Sequence, residues 1–293
     1  MTTDEATRAA LPIHAQSPAT AIRSSTTMAC TTPPSVEAPT DRPTPGDPTP
    51  LPQYSPTRIL ATWASAALPM AAMAWIVAPL LAHGFAGPTA LPRALILALT
   101  AGLFWQFVVV LFLVRREQGS LRWSVLKEAL WLQAPRRPKG GRRGGWIWLV
   151  VVPLIIGLAA KEFLPTLPTP AARDMGLFLQ SATGQTFLSS NWGWLAIILA
   201  LQILNTVLGE ELLFRGLLLP RMQGVFGRWD WAANGVLFAL YHLHVPWVIP
   251  QTLLDSFVVA YPSKRYRSAL IGIVVHSAQS LYFSILVVAL VLR

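Results

Sequence analysis

Leu208-Gly209-Glu210-Glu211-Leu212-Leu213-Phe214-Arg215-Gly216 sets two adjacent carboxylates and a guanidinium inside an apolar run from about Trp192 to Pro220. A run of that length predicts a membrane-spanning helix. Each ionisable side chain at the centre of a bilayer costs about 2.5–3.5 kcal/mol on insertion scales. Such groups are kept mainly where they face a bundle interior and carry function. A structural ion pair between Glu211 and Arg215, four residues apart, would account for one carboxylate. It leaves the other carboxylate without a partner.

The composition around this stretch agrees with a membrane setting. Of 293 residues 53% are hydrophobic and 12% are charged, where soluble domains carry about 25% charged residues. The apolar runs are long and do not alternate, which predicts an all-α integral membrane protein rather than a barrel. The net charge of +10 belongs first to loops that stay in the cytoplasm, so nucleic acid is not expected as a partner. A single cysteine, Cys30, excludes an intramolecular disulfide.

Residues 1–57 are rich in Pro, Thr, Ala and Ser and contain no apolar run, which predicts a disordered tail. Residues 58–293 are expected to form a helical membrane domain of about seven spans, within a range of six to eight. They run from about Ile59 to Leu81, Arg93 to Val114, Trp146 to Leu164, Trp192 to Pro220, Trp229 to His244, Pro246 to Ala260 and Ser268 to Leu292. Between the second and third lies a strongly basic loop, 115–145. Its residues 121–132 fit a short interfacial helix with Leu121, Trp123, Leu126, Leu130 and Trp131 toward the membrane. Lys and Arg concentrate after spans two, four and six, which predicts a cytoplasmic amino-terminal tail and contact with anionic membrane lipids.

Polar groups at membrane depth gather in the last four spans. Glu210, Glu211 and Arg215 lie on the fourth, His242 on the fifth, four residues after Phe238, and Asp255 on the sixth. His276 lies on the seventh, with Gln279 and Ser280 one turn on. The first three spans hold almost nothing comparable, and Lys161-Glu162 is given no role. His244, two residues past His242, is expected to face away from it, near the outer interface. Carboxylate plus imidazole is the composition of a general base, of a metal site that activates water, and of a proton relay. Residue types alone leave all three open.

The pattern Glu210-Glu211-Leu212-Leu213-Phe214-Arg215, then Phe238-Ala239-Leu240-Tyr241-His242, then His276 in a last apolar helix resembles the CAAX prenyl protease type II family, also called the CPBP or Abi group. The resemblance covers about residues 190–292. It implies an intramembrane endopeptidase, a hydrolase in which Glu210, with His242, activates water for attack on a peptide carbonyl. It implies that Glu211 and Arg215 form a supporting ion pair. It implies that His276 stabilises the oxyanion, or ligates a metal. The family is discussed both as metalloproteases and as metal-independent glutamate proteases. A divalent metal such as zinc therefore stays open, with Glu210, His242 and His276 as candidate ligands.

The family's last motif usually reads His-x-x-x-Asn or Asp, whereas this chain reads His276-Ser277-Ala278-Gln279-Ser280. That departure motivates a competing reading, a non-catalytic relative serving as an immunity or scaffold protein. A proton-coupled transporter is a third, opposed by the absence of an internal repeat. The expected partners are a peptide or membrane-protein substrate and membrane lipids. The bias toward Ala, Arg and Pro suggests a high-GC bacterium, hence a multi-pass protein of a bacterial inner membrane.

Overall fold

A computed structural model describes residues 51–137, 143–164 and 167–293. Most of the expected tail, residues 1–50, lies outside the described residues. The described elements are helical and include no strand; Arg136 and Arg143 share one isolated bridge. Four helices are long and apolar enough to cross a membrane: α1 (Pro56–Ala82), α2 (Ala90–Gln118), α4 (Trp192–Arg221) and α7 (Ala269–Val291). Between and beside them lie α3 (Gly145–Ala159), α5 (Asp230–Tyr241) and α6 (256–266).

The other three expected spans do not form helices long and apolar enough to cross a membrane. Helix α3 has 15 residues, of which Gly145–Val150 are wound as 3-10 helix, and a 3-10 stretch, Ala160–Phe163, continues it. Helix α5 has 12 residues and stops at Tyr241, before a tight turn at His242–His244. The stretch 246–260 is broken into Pro246–Val248, Ile249–Thr252 and Ser256–Ala260. Pro246 and Pro250 punctuate it, since proline cannot donate to a preceding carbonyl.

Proline also shapes α1. Pro69 cannot bond the carbonyl of Ser65, and that oxygen accepts instead from Trp105 Nε1 of α2 at 2.9 Å. After Pro69 the helix loosens into a π turn over Met73–Val77. With bonds running five residues back, Pro79 frees the carbonyl of Ala74, which accepts from an Arg173 guanidinium nitrogen at 3.1 Å. Both gaps in the ladder are therefore closed by side chains of neighbouring segments, as buried backbone requires.

The membrane domain begins earlier than residue 58. Tyr54 is buried, and its N–H donates to the Arg221 carbonyl at 2.8 Å. Ser55 caps α1 by accepting from the Arg58 N–H at 3.2 Å, and Pro56 occupies the first turn. The last residues assigned to the tail are thus part of the bundle. The short helix expected within 121–132 forms at Trp123–Ala129. Only part of its apolar set faces outward. Leu121 and Trp123 are exposed, while Leu130 and Trp131 are buried in the protein core.

The main core lies where α1, α2, α4 and α5 meet. Ile59, Met70, Leu103, Leu213, Phe214 and Tyr241 are all buried there. On the outside, Leu68, Ile76, Phe104, Phe112, Leu281 and Ile285 are well exposed. A soluble surface would not carry so continuous an apolar cover, whereas lipid does not penalise it.

Candidate active site

The candidate residues sit on α4, at the end of α5 and on α7. Residues Leu204–Leu218 of α4 are wound as a π-helix, a form found at functional sites in other proteins, usually as a single turn. Every residue from Gly209 to Leu218 is buried. Helix α5 is fixed against α4 through Asn234, whose side-chain N–H donates to the Phe214 carbonyl at 2.8 Å. Gly235 allows α5 to touch α6, since a Cβ there would lie 1.8 Å from Ser256 Oγ. From α1, Trp63 Nε1 donates to Leu237 O and Trp75 Nε1 to Leu243 O, each at 2.8 Å. These two bonds anchor the end of α5 and the turn that carries His242.

Glu211 is the centre of the cluster. One carboxylate oxygen, Oε1, accepts from Arg215 Nη1 at 3.1 Å and pairs with His276 Nδ1, also at 3.1 Å. The other ring nitrogen of His276 faces Glu210, with Nε2 4.0 Å from Oε2. Glu210, Glu211, Arg215 and His276 are all buried. Arg215 and His276 stand against the two carboxylates, and partners of this kind are what a buried carboxylate needs if it is not to be prohibitively expensive.

Phe238 is the platform beneath these groups. The Arg215 guanidinium lies 4.0 Å from its ring centroid, a cation–π contact. The His242 ring meets it edge-on at 4.9 Å, and the His276 ring at 6.2 Å. His242 Nδ1 is 2.9 Å from the Phe238 carbonyl and donates to it, which directs Nε2 away from the helix end. The structure therefore brings Glu210, Glu211, Arg215 and His276 into direct contact. It sets His242 beside them across one aromatic ring.

Several expectations change. His244 does not face away, because α5 has ended by Tyr241. In the turn that follows, the two imidazoles stack at 5.5 Å with 24° between planes, and His244 is buried. Lys161, given no role, approaches Asp255 at 3.8 Å. Gln251 donates to the Lys161 and Leu164 carbonyls at 3.3 and 3.1 Å, joining the end of α3 to the segment that carries Asp255. The first spans do contribute a polar group: buried Gln106 of α2 accepts from Tyr241 Oη at 3.0 Å. A lone glutamine in an apolar run was the available signal.

Gly272 was also passed over. A Cβ there would stand 2.3 Å from Glu211 Oε2, so α7 can approach the carboxylate only with glycine one turn before His276. The spacing Gly-x-x-x-His on an apolar helix was visible in the sequence. Of the candidate metal ligands, Glu210 approaches His276 as described, and His242 spends one nitrogen on the Phe238 carbonyl. Among the described residues no three His, Cys, Asp or Glu side chains form a group that could hold a metal ion. The donors as arranged do not fit a metal centre.

Residues 191–282 match the family described as type II CAAX prenyl endopeptidase Rce1-like. The matched stretch takes in α4, α5, α6 and the part of α7 that bears His276. No curated protein and no solved structure matches the chain. The family is one of proteases, and the match falls on the region whose motifs carried the resemblance. The match shows similarity to that family over residues 191–282.

Proposed function

We propose that this chain is an intramembrane endopeptidase that hydrolyses a peptide bond with a water activated by Glu210. The observation that carries the reading is the buried cluster Glu210–His276–Glu211–Arg215. One carboxylate, Glu211, is held between Arg215 and His276, while Glu210 faces the other nitrogen of His276 across 4.0 Å. A separation of 4.0 Å suits a water bonded to both Glu210 Oε2 and His276 Nε2. Glu210 takes the proton of that water as its oxygen attacks the peptide carbonyl carbon. The carbonyl π pair moves onto oxygen. His276, doubly protonated and held by Glu211, donates its Nε2–H to the oxyanion. Collapse breaks the C–N bond, and the proton on Glu210 passes to the leaving amine. His242, with Nδ1 committed to the Phe238 carbonyl, accepts through Nε2 a hydrogen bond from the water's second O–H and so orients it, while the transferred proton goes to Glu210.

Arg215 does not reach the reacting atoms in this scheme. It fixes Glu211 and is itself fixed over Phe238. No step uses a metal. The substrate we infer is a peptide or a membrane-protein segment that enters from the lipid. The setting we infer is a bacterial inner membrane, with the amino terminus in the cytoplasm.

The departure at Ser280 keeps one competing reading, a non-catalytic relative. Peptide cleavage by purified protein in nanodiscs separates the two. Wild type is expected to cleave, and Glu210→Gln and His242→Ala to lose at least about 100-fold in rate, as removal of an acid–base group does. The variants should keep the wild-type thermal midpoint and helical content. Wild-type-like cleavage by Glu210→Gln would refute the mechanism. Absence of cleavage by wild type across a broad peptide library would favour the non-catalytic relative.

A further inference from the structure

A second polar feature lies apart from Glu210 and its neighbours. It is an open cavity of about 450 Å³ lined by Trp131, Gln223, Arg228, Asp230, Lys264 and Arg267. Asp230 is buried at its floor and is neutralised by Lys264, which also donates to the Gly227 and Arg228 carbonyls at 3.1 and 3.3 Å. That leaves the guanidiniums of Arg228 and Arg267. Both residues are exposed, and among the described residues neither has a carboxylate partner. Each stands near an indole: Arg228 lies 5.2 Å from the Trp229 ring centroid and Arg267 lies 5.7 Å from that of Trp131. A guanidinium held this way presents its fork of N–H donors with little loss of side-chain freedom, and that fork matches a phosphate.

The surroundings favour lipid over a dissolved ion. Trp231 packs against Trp229, Phe257 and Tyr261 at 6.1, 5.4 and 5.2 Å, and the last three are exposed. Such a cluster suits the headgroup level of a bilayer. The loops after α4 and before α7 are among the basic ones that positive-inside orientation assigns to the cytoplasm, where leaflets carry anionic lipid.

We propose that this cavity binds the phosphate of an anionic phospholipid headgroup through Arg228 and Arg267. The bound lipid would tie the α4–α5 turn to the α6–α7 turn, the two connections that flank the catalytic helices at this end.

Native mass spectrometry of the purified full-length protein, offered equal phosphatidylglycerol and phosphatidylcholine, tests the site. Wild type is expected to retain phosphatidylglycerol with roughly tenfold or greater preference, the scale set by two arginines near an anionic headgroup. Arg228→Gln combined with Arg267→Gln should bring the preference to about one. Arg115→Gln with Arg116→Gln removes the same charge from exposed positions outside the cavity and should leave the preference unchanged. Arg228→Gln alone, at an exposed position, should lower the preference without changing the thermal midpoint. Equal losses in the two double variants, or no preference in wild type, would overturn the proposal. Displacement of the lipid by millimolar inorganic phosphate would overturn the assignment to a lipid.

Discussion

Two buried acidic centres in this bundle are built from similar parts and finished differently. At the loop end of α2, Glu117 accepts from Tyr54 Oη and from Arg58 on one oxygen, and from Arg221 Nε at 2.9 Å on the other. Arg221 Nη2 lies 2.8 Å from the same Glu117 oxygen, and Arg221 Nη1 donates to the Ala129 and Leu217 carbonyls at 3.0 and 2.9 Å. One carboxylate thereby joins the start of α1, the end of α2 and the end of α4. At the Glu211 centre the pairing is incomplete. Glu211 Oε2 and Arg215 Nε and Nη2 are buried without hydrogen-bond partners among the described residues, and His276 approaches Glu210 no nearer than 4.0 Å. A closed centre gives structure. An open one keeps polar groups unspent at a cost in stability, as the proposed catalytic role of Glu210 and His276 requires.

The comparison breaks first under charge removal. Glu117→Gln leaves the buried Arg221 guanidinium uncompensated, with Arg58 partly exposed, and is expected to cost about 3 kcal/mol, read as a large fall in thermal midpoint in detergent. Protein that remains folded should cleave peptide at the wild-type rate. Glu210→Gln should do the opposite, losing cleavage while the midpoint holds or rises. If both substitutions damaged stability equally, the distinction between a closed and an open centre would be wrong.

A gentler change probes the open centre without touching an ionisable group. Gly272→Ala puts a methyl where Glu211 Oε2 lies, at 2.3 Å, and the carboxylate must move. Its contacts to Arg215 and His276, both 3.1 Å, would be lost or lengthened. Displacement on the scale of an ångström is expected to reduce cleavage about 100-fold. Overpacking should cost about 1–3 kcal/mol in stability, less than Glu117→Gln. Wild-type cleavage in Gly272→Ala would mean that the position of Glu211 does not matter.

The two centres were unequally legible in the sequence. Glu210, Glu211 and Arg215 stood out because charge in an apolar run is costly wherever the chain folds, and His276 because it lies in a run of the same kind. Glu117 was hidden: it sits among Arg115, Arg116 and Arg122, where a glutamate reads as one more solvated charge. Only the return of α1 and α4 to that spot gives it three partners, and those contacts span up to 104 residues of sequence. Long apolar helices were equally plain, because hydropathy is local. The short ones were less plain, since where α5 gives up α-helical winding depends on a turn after Tyr241 that brings His242 and His244 together. His244 and Gln106 escaped notice for the same reason, as each acquires its contacts through packing rather than through neighbours in the chain.

The smallest expected effect sharpens the closed centre. Burial, and then the bond to Glu117, raise the ionisation of Tyr54 above its ordinary value. A tyrosine whose hydroxyl is held protonated in the folded protein gives stability that is complete below the unfolded value of about 10 and is lost as pH rises beyond it. Tyr54→Phe removes the hydroxyl and should cost about 1–3 kcal/mol at neutral pH, the range for a buried bond to a charged acceptor and for an acceptor left short of one donor. Arg58 and Arg221 still satisfy Glu117 in that variant, so the lower part of the range is expected. Thermal midpoints of wild type and Tyr54→Phe, measured from pH 7 to pH 11, should differ by a constant amount up to about pH 10 and converge above it. Groups that titrate in both proteins cancel in the difference. A gap that stayed constant to pH 11 would show that the tyrosine does not hold its proton through Glu117, and the closed centre would then rest on the two arginines alone.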